Sequence, residues 1–230
     1  SGTSLDSGGS PVTSIDIGES HGCALISGFI KCWGVAISGQ LGNGVNVVSS
    51  MDPVIVDAVS GWTPIEVSVS TRSGANGGTS CALYSSDSSD ENSIMCWGQG
   101  GSGQIGDGGS SSPASPSSSS RVMLDPTTPL GASEGSESLS TNPYKVAEIS
   151  LSELGKFGCA RSNQGNVKCW GYNNYGQLGH GNTSTASDGP DEMGSNLPFV
   201  PLGSNRTATQ ITVGERHACA LLDDGSVKCW

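Results

Sequence analysis

Charge is scarce in this sequence, and aromatic rings are scarcer. Only 13% of its 230 residues are Asp, Glu, Lys or Arg, and 5% are Phe, Trp or Tyr. A core built from such a chain must rely on small aliphatics and a few tryptophans. Basic residues number 10 against 21 acidic ones, for a net charge of -11. No basic stripe exists to neutralise phosphates, which argues against nucleic-acid binding and against electrostatic attachment to anionic lipid. No apolar run approaches the length that crosses a bilayer as a helix, so membrane insertion is not expected. Long amphipathic helices are excluded too, because 35 glycines and many β-branched residues interrupt almost every window.

The chemistry of catalysis is also thin. There is no G-x-S-x-G elbow with Asp and His in a credible order, and the glycine clusters precede no Lys-Ser/Thr pair that would cradle phosphate. Of three histidines, His21 and His217 each stand two residues before a cysteine, where the third repeat unit has Phe157. A position that accepts Phe is a packing position. His180 occupies a slot filled elsewhere by Asn43 and Asp107, and is expected to face solvent. Asp188, Asp191 and Glu192 form a compact acidic group near a variable loop; a calcium site there is weighed against an ordinary solvated loop, and the full calcium-loop spacing is absent. No catalytic residue, metal or cofactor is assigned, and the chain is not expected to be an enzyme. A glycan-processing enzyme using two converging carboxylates is kept as a minor alternative.

What the chain does have is cysteine, in a pattern. Eight cysteines form four close pairs: Cys23/Cys32, Cys81/Cys96, Cys159/Cys169 and Cys219/Cys229. Ala follows the first member of each pair and Trp the second (Trp33, Trp97, Trp170 and Trp230). Three of those tryptophans lead into G-V-A-I-S-G-Q-L-G-N-G, G-Q-G-G-S-G-Q-I-G-D-G and G-Y-N-N-Y-G-Q-L-G-H-G. An alternating apolar segment precedes each pair: S-I-D-I-G, P-I-E-V-S-V, V-A-E-I-S-L and Q-I-T-V-G. First cysteines are 58, 78 and 60 residues apart, which marks a repeat.

The turns keep the cysteines in register. Asp223-Asp224-Gly225 and Asn163-Gln164-Gly165 supply three turn residues each, with glycine where positive φ is needed. Ser27-Gly28 makes a two-residue turn that leaves Cys23 opposite Cys32, and the longer tip of the second unit preserves the facing as well. Opposed cysteines on neighbouring strands can close a disulfide, worth roughly 2–3 kcal/mol for a loop this short. Zinc ligation is the rival, but these pairs are wider than zinc knuckles and lack a recurring His. Four disulfides imply an oxidising compartment, extracellular or at the cell surface. Asn182-Thr183-Ser184 and Asn205-Arg206-Thr207 are N-glycosylation sequons, consistent with that route. The Ser/Pro-rich stretch from 109 is read as a solvated insertion, O-glycosylated or bare.

The pattern C-A-L-x-x-D-G-x-V-K-C-W, continued as W-G-x-N-x-x-G-Q-L-G-x-G, resembles the RCC1-like repeat in its cysteine-paired, secreted or surface variety. It is carried by Cys219-Ala220-Leu221, Asp224-Gly225, Val227-Lys228-Cys229-Trp230, Trp170-Gly171, and Gly176-Gln177-Leu178-Gly179 with Gly181. The resemblance implies an all-β β-propeller whose blades are four short antiparallel strands, usually seven around an axis. At about 65 residues per unit the chain holds about three and a half repeats. It is expected to be a window on a larger propeller or repeat array, closed as a ring or stacked as an open superhelix.

The units divide as blade 1 over 1–44, blade 2 over 45–108, an insertion over 109–142, blade 3 over 143–181 and blade 4 over 182–230. The leading expectation is a non-catalytic extracellular structural or adhesive module of a surface layer, sheath or filament, with neighbouring repeats or copies of itself as partners. The alternative is a soluble binding module or inhibitor that recognises a protein or glycan through the loops at 85–93 and 180–196.

Overall fold

The computed structural model describes residues 11–46, 48–70, 77–89, 91–116, 145–154, 156–186, 189 and 192–230. Their regular structure is β-strand apart from one turn of 3-10 helix at Gly194–Asn196, and no helix among them is long and apolar enough to cross a membrane. The strands are β1 (Val12–Ile17), β2 (His21–Ile26), β3 (Phe29–Val35), β4 (Ser49–Ile55), β5 (Trp62–Val69), β6 (Thr79–Ser86), β7 (Asn92–Gly98), β8 (Val146–Leu151), β9 (Phe157–Ser162), β10 (Val167–Gly171), β11 (Ala208–Val213), β12 (Ala218–Leu222) and β13 (Val227–Cys229). They form four antiparallel meanders in chain order, β1-β2-β3-β4, β5-β6-β7, β8-β9-β10 and β11-β12-β13.

A single small sheet has two faces to cover, and here neighbouring sheets cover each other. One apolar cluster joins the cysteine face of the first blade (Cys23, Leu25, Ile30, Cys32) to Ala82, Tyr84, Met95 and Trp97 of the second. A second cluster continues through the third and fourth blades, with Trp170, Phe157 and Leu178 wholly buried. Ala at the residue after each first cysteine is buried in every blade, small enough for the next sheet to approach. The cysteines pair across the central hairpin of each blade in the expected register, Cys23 opposite Cys32, Cys81 opposite Cys96, Cys159 opposite Cys169 and Cys219 opposite Cys229. All four pairs are disulfides, and no cysteine is free.

Two features depart from four regular strands per blade. Among the described residues only the first sheet has a fourth strand, β4, which pairs with β3. In the third blade a single bridge between Gly171 and Ala186, with the Val200 N–H donating to the Val167 carbonyl, takes the fourth strand's place. The beginning of the Ser/Pro-rich stretch is also tied down. The Pro113 carbonyl accepts the Gly98 N–H at 2.8 Å, and that of Ala114 accepts the Gly44 N–H at 3.0 Å. Residues 113–116 therefore lie across the turns of blades 1 and 2 as an ordered strap, while 117–144 fall outside the described residues.

Candidate functional site

The seams between blades are where the repeated sequence acquires its meaning. In every G-Q-x-G turn the glutamine is buried, and its Oε1 accepts an N–H two residues earlier: Ser38 at 2.9 Å for Gln40, Ser102 at 2.6 Å for Gln104, Tyr175 at 3.0 Å for Gln177. That bond fixes the loop and turns the glutamine carbonyl toward the next blade. There the tryptophan indole meets it, Trp97 donating to Gln40 O at 2.9 Å and Trp170 to Gln104 O at 3.0 Å. Close approach needs a glycine. A Cβ on Gly42 would lie 2.6 Å from Trp97 Nε1, and one on Gly179 would lie 2.7 Å from Trp230 Cδ1. Trp230 docks the same way, but its Nε1 is enclosed without a hydrogen-bond partner.

A second set of ties runs along the first strand of each blade. A β-bulge recurs there, between Val12/Ser14, Pro64/Glu66, Val146/Glu148 and Ala208/Gln210. Such a bulge re-aims the following side chain, and that side chain reaches the next blade. Ser14 Oγ accepts the Val67 N–H at 3.1 Å, Glu66 faces the Ile149 N–H, and Glu148 accepts the Ile211 N–H at 3.3 Å. Arg161 Nε pairs with Glu148 Oε2 at 2.8 Å. Burial, with the charge of Glu148 next, pushes the Glu66 carboxyl up to about 7.

The histidines divide by seam. His21 is buried, and its Nε2 lies 2.9 Å from Ser80 Oγ, whose hydroxyl donates to Gln40 O at 2.8 Å. Because that hydroxyl proton is committed, Nε2 must carry the imidazole hydrogen, and burial lowers the histidine to about 4. Phe157 fills the same place in blade 3 and is buried, whereas His217 in blade 4 is exposed. His180 does not face solvent as expected. It is half-buried with Nε2 enclosed, and burial followed by Lys168 lowers it to about 4.

The remaining candidates scatter. Asp188 and Asp191 lie outside the described residues, and Glu192 Oε2 accepts the Gly189 N–H at 3.0 Å. No metal-holding group of His, Cys, Asp and Glu occurs among the described residues. Asn205 is exposed on a turn at φ +58°; Asn182 is exposed too, its Oδ1 accepting the Ser184 N–H at 2.9 Å. The tip at 85–93 is closed by its own serines, Ser86 Oγ accepting the N–H groups of Ser88 and Ser89.

A different group, unmarked by any motif, gathers at the seam of blades 3 and 4. The Tyr172 and Tyr175 rings lie 6.2 Å apart, edge to face. Lys156 Nζ sits 5.2 Å from the Tyr172 ring centre, and the Arg216 guanidinium 4.8 Å from that of Tyr175. Arg216 Nε also pairs with Glu215 at 3.1 Å. Together with Gln177 these residues line a small, solvent-open depression of about 70 Å³. The signal was present in the sequence: aligned on the cysteines, Lys156 and Arg216 replace Ser20 and Gly78, and Tyr175 replaces Ser38 and Ser102.

Known proteins are similar to this chain in sequence or in fold. The profile of the Regulator of chromosome condensation (RCC1) repeat matches residues 164–221. The E3 ubiquitin-protein ligase HERC2 of Homo sapiens is 27% identical over 221 residues, which is 95% of this chain and 4% of HERC2. The human WBSCR16 crystal structure superposes with a TM-score of 0.68 at 19% identity, over 98% of this chain and 49% of that one. Yeast RCC1 (Prp20), in its crystal structure with Kap60, superposes with a TM-score of 0.63 at 17% identity, over 98% and 44%. The chain spans less than half the length of each of these relatives.

Proposed function

We propose that this chain, whose residues 164–221 match the RCC1 repeat and whose fold is that of RCC1-type propellers, is a non-catalytic extracellular module, structural or adhesive, of a surface layer, sheath or filament. One observation carries the reading: each of the four blades is closed by its own disulfide, six of the eight cysteines being wholly buried. Disulfides persist in oxidising compartments and are rare where glutathione keeps thiols reduced. They stiffen blades whose cores are poor in large side chains, and the seams then join stiff blades edge to edge. Asn182 and Asn205 are the glycan acceptors under this reading; a mass shift on treatment of native protein with a peptide N-glycosidase would mark them.

Imaging of the native material tests the role. Label on an assembled layer, sheath or filament supports it, and free monomers that never associate or touch a surface count against it. A second reading, a soluble binding module, is favoured by the exposed Tyr172/Tyr175 cluster. The Kap60 complex of yeast RCC1 supports protein binding as a capacity of such propellers. Recovery of one stoichiometric soluble partner from native medium would select this reading over assembly.

A further inference from the structure

A repeat protein exhibits each position of its fold several times, and so displays what the fold asks of it. Three residues before the first cysteine, that demand is met by Ser20 in blade 1 and Gly78 in blade 2. Two residues after the tryptophan it is met by Val35 and Gln99, and two before the glutamine by Ser38 and Ser102. Nothing bulky is required. At one seam alone all four places change together, to Lys156, Arg216, Tyr172 and Tyr175. Core packing does not explain the change, since Tyr175 is 59% exposed.

The cluster is ordered before any ligand arrives. The Gln177 Oε1 bond to the Tyr175 N–H fixes the loop that presents the ring. Glu215 and the Tyr175 ring hold the Arg216 guanidinium between them, and Tyr172 supports both its neighbour ring and Lys156. Ordering in advance lowers the entropic cost of binding. Two cations against one carboxylate make this a positive island on a chain of net charge -11, so it draws anions that the rest of the surface repels. Arg216 lies over part of the Tyr175 ring and Lys156 over that of Tyr172, while the rest of Tyr175 stays exposed, an arrangement that suits a ring with one apolar side and a carboxylate on its rim.

We infer that the seam of blades 3 and 4 is a subsite for an acidic polysaccharide built of uronic-acid units, one sugar ring lying against the exposed part of Tyr175 with its carboxylate toward Arg216, and Lys156 drawing a neighbouring unit. The inference rests on the adhesive reading and names the surface to which the module adheres. An acidic peptide would satisfy the cations and leave the ring face unused.

Titration calorimetry of the 230-residue chain with hexagalacturonate, cellohexaose and hexaglutamate decides the matter. Hexagalacturonate should bind, weaken as salt is raised, and lose about tenfold or more in affinity in Tyr175→Ala and again in Arg216→Ala. Both variants should keep wild-type thermal midpoints. Cellohexaose should bind at least about tenfold more weakly than the uronate, and hexaglutamate should be insensitive to Tyr175→Ala. Absence of hexagalacturonate binding overturns the inference, as does binding untouched by Tyr175→Ala or equal binding of cellohexaose. If hexagalacturonate is ignored while native material still assembles on a surface, the subsite fails and the adhesive role stands. If neither occurs, both fail.

Discussion

The seam between the first two blades and the seam between the last two share a frame and differ in finish. In each, a buried glutamine shapes a turn, a glycine clears space, and the following blade's tryptophan lies against it. The first is sealed by a dry polar relay from His21 through Ser80 to Gln40 O, shared with Trp97. The last carries two tyrosines and two cations open to water, and Trp230 is only partly covered. The difference separates two kinds of residue within one repeat. Those that recur hold the blades together, and those that break the recurrence are free to recognise something.

The sharpest way to break this comparison is to remove its shared element. Trp97→Ala should cost about 3–5 kcal/mol, as a wholly buried indole leaves a cavity and Gln40 O loses a donor. Trp230→Ala, at a partly covered site, should cost roughly a third of that. Urea denaturation of both variants measures the pair, and equal losses would mean the two seams are energetically alike.

Sulfur gives the next effect. Cys81→Ala with Cys96→Ala should cost about 3 kcal/mol. Cys219–Cys229, the disulfide least covered in this chain, should be the first opened by a mild reductant, followed by alkylation and peptide mass analysis. Simultaneous opening of all four would mean that cover over the sulfurs does not decide their reactivity.

Acidity should act with opposite sign at two seams. Neutral His21 contributes stability that is complete above its ordinary value near 6.5 and is lost as pH falls through about 4. Protonated Glu66, near Glu148 and Arg161 at the seam of blades 2 and 3 and Asp16 of blade 1, contributes stability complete below about 4.5 and lost as pH rises through about 7. Urea midpoints measured from pH 4 to 8 should therefore respond to two variants differently. His21→Phe, copying blade 3, should blunt the fall on acidification, whereas Glu66→Gln should blunt the loss between pH 5 and 8. Unchanged profiles in both would remove these groups from the account. The smallest effect belongs to Tyr175→Ala, which should shift stability by no more than about 0.5 kcal/mol.

Much of the scaffold was legible in the sequence because it is written in local spacing. The Cys-to-Cys count with a glycine at the turn defines a hairpin register, and Gly165 and Gly225 adopt φ +81° and +82° where positive φ was expected. Ser27-Gly28 likewise forms the two-residue turn, with both residues at positive φ. What spacing does not encode is the bond between blades. The indole-to-carbonyl contacts join residues 57 and 66 positions apart, and the bulges that turn Glu66 and Glu148 toward the next strand leave no mark in the alternation of apolar residues. The partial burial of His180 is hidden for the same reason: the variable slot reads as a loop, yet its Nε2 is enclosed and Lys168 lies within electrostatic reach. The tyrosine cluster was legible only by comparing repeats with one another.

Everything proposed for compartment and role depends on sulfur bridges inside the blades. Native protein, denatured and alkylated without reduction and then cleaved to peptides, reports on them directly. No alkylated cysteine is expected, and four cross-linked pairs should appear, each joining the two cysteines of one blade. Alkylated thiols, or pairs joining different blades, would contradict this pairing.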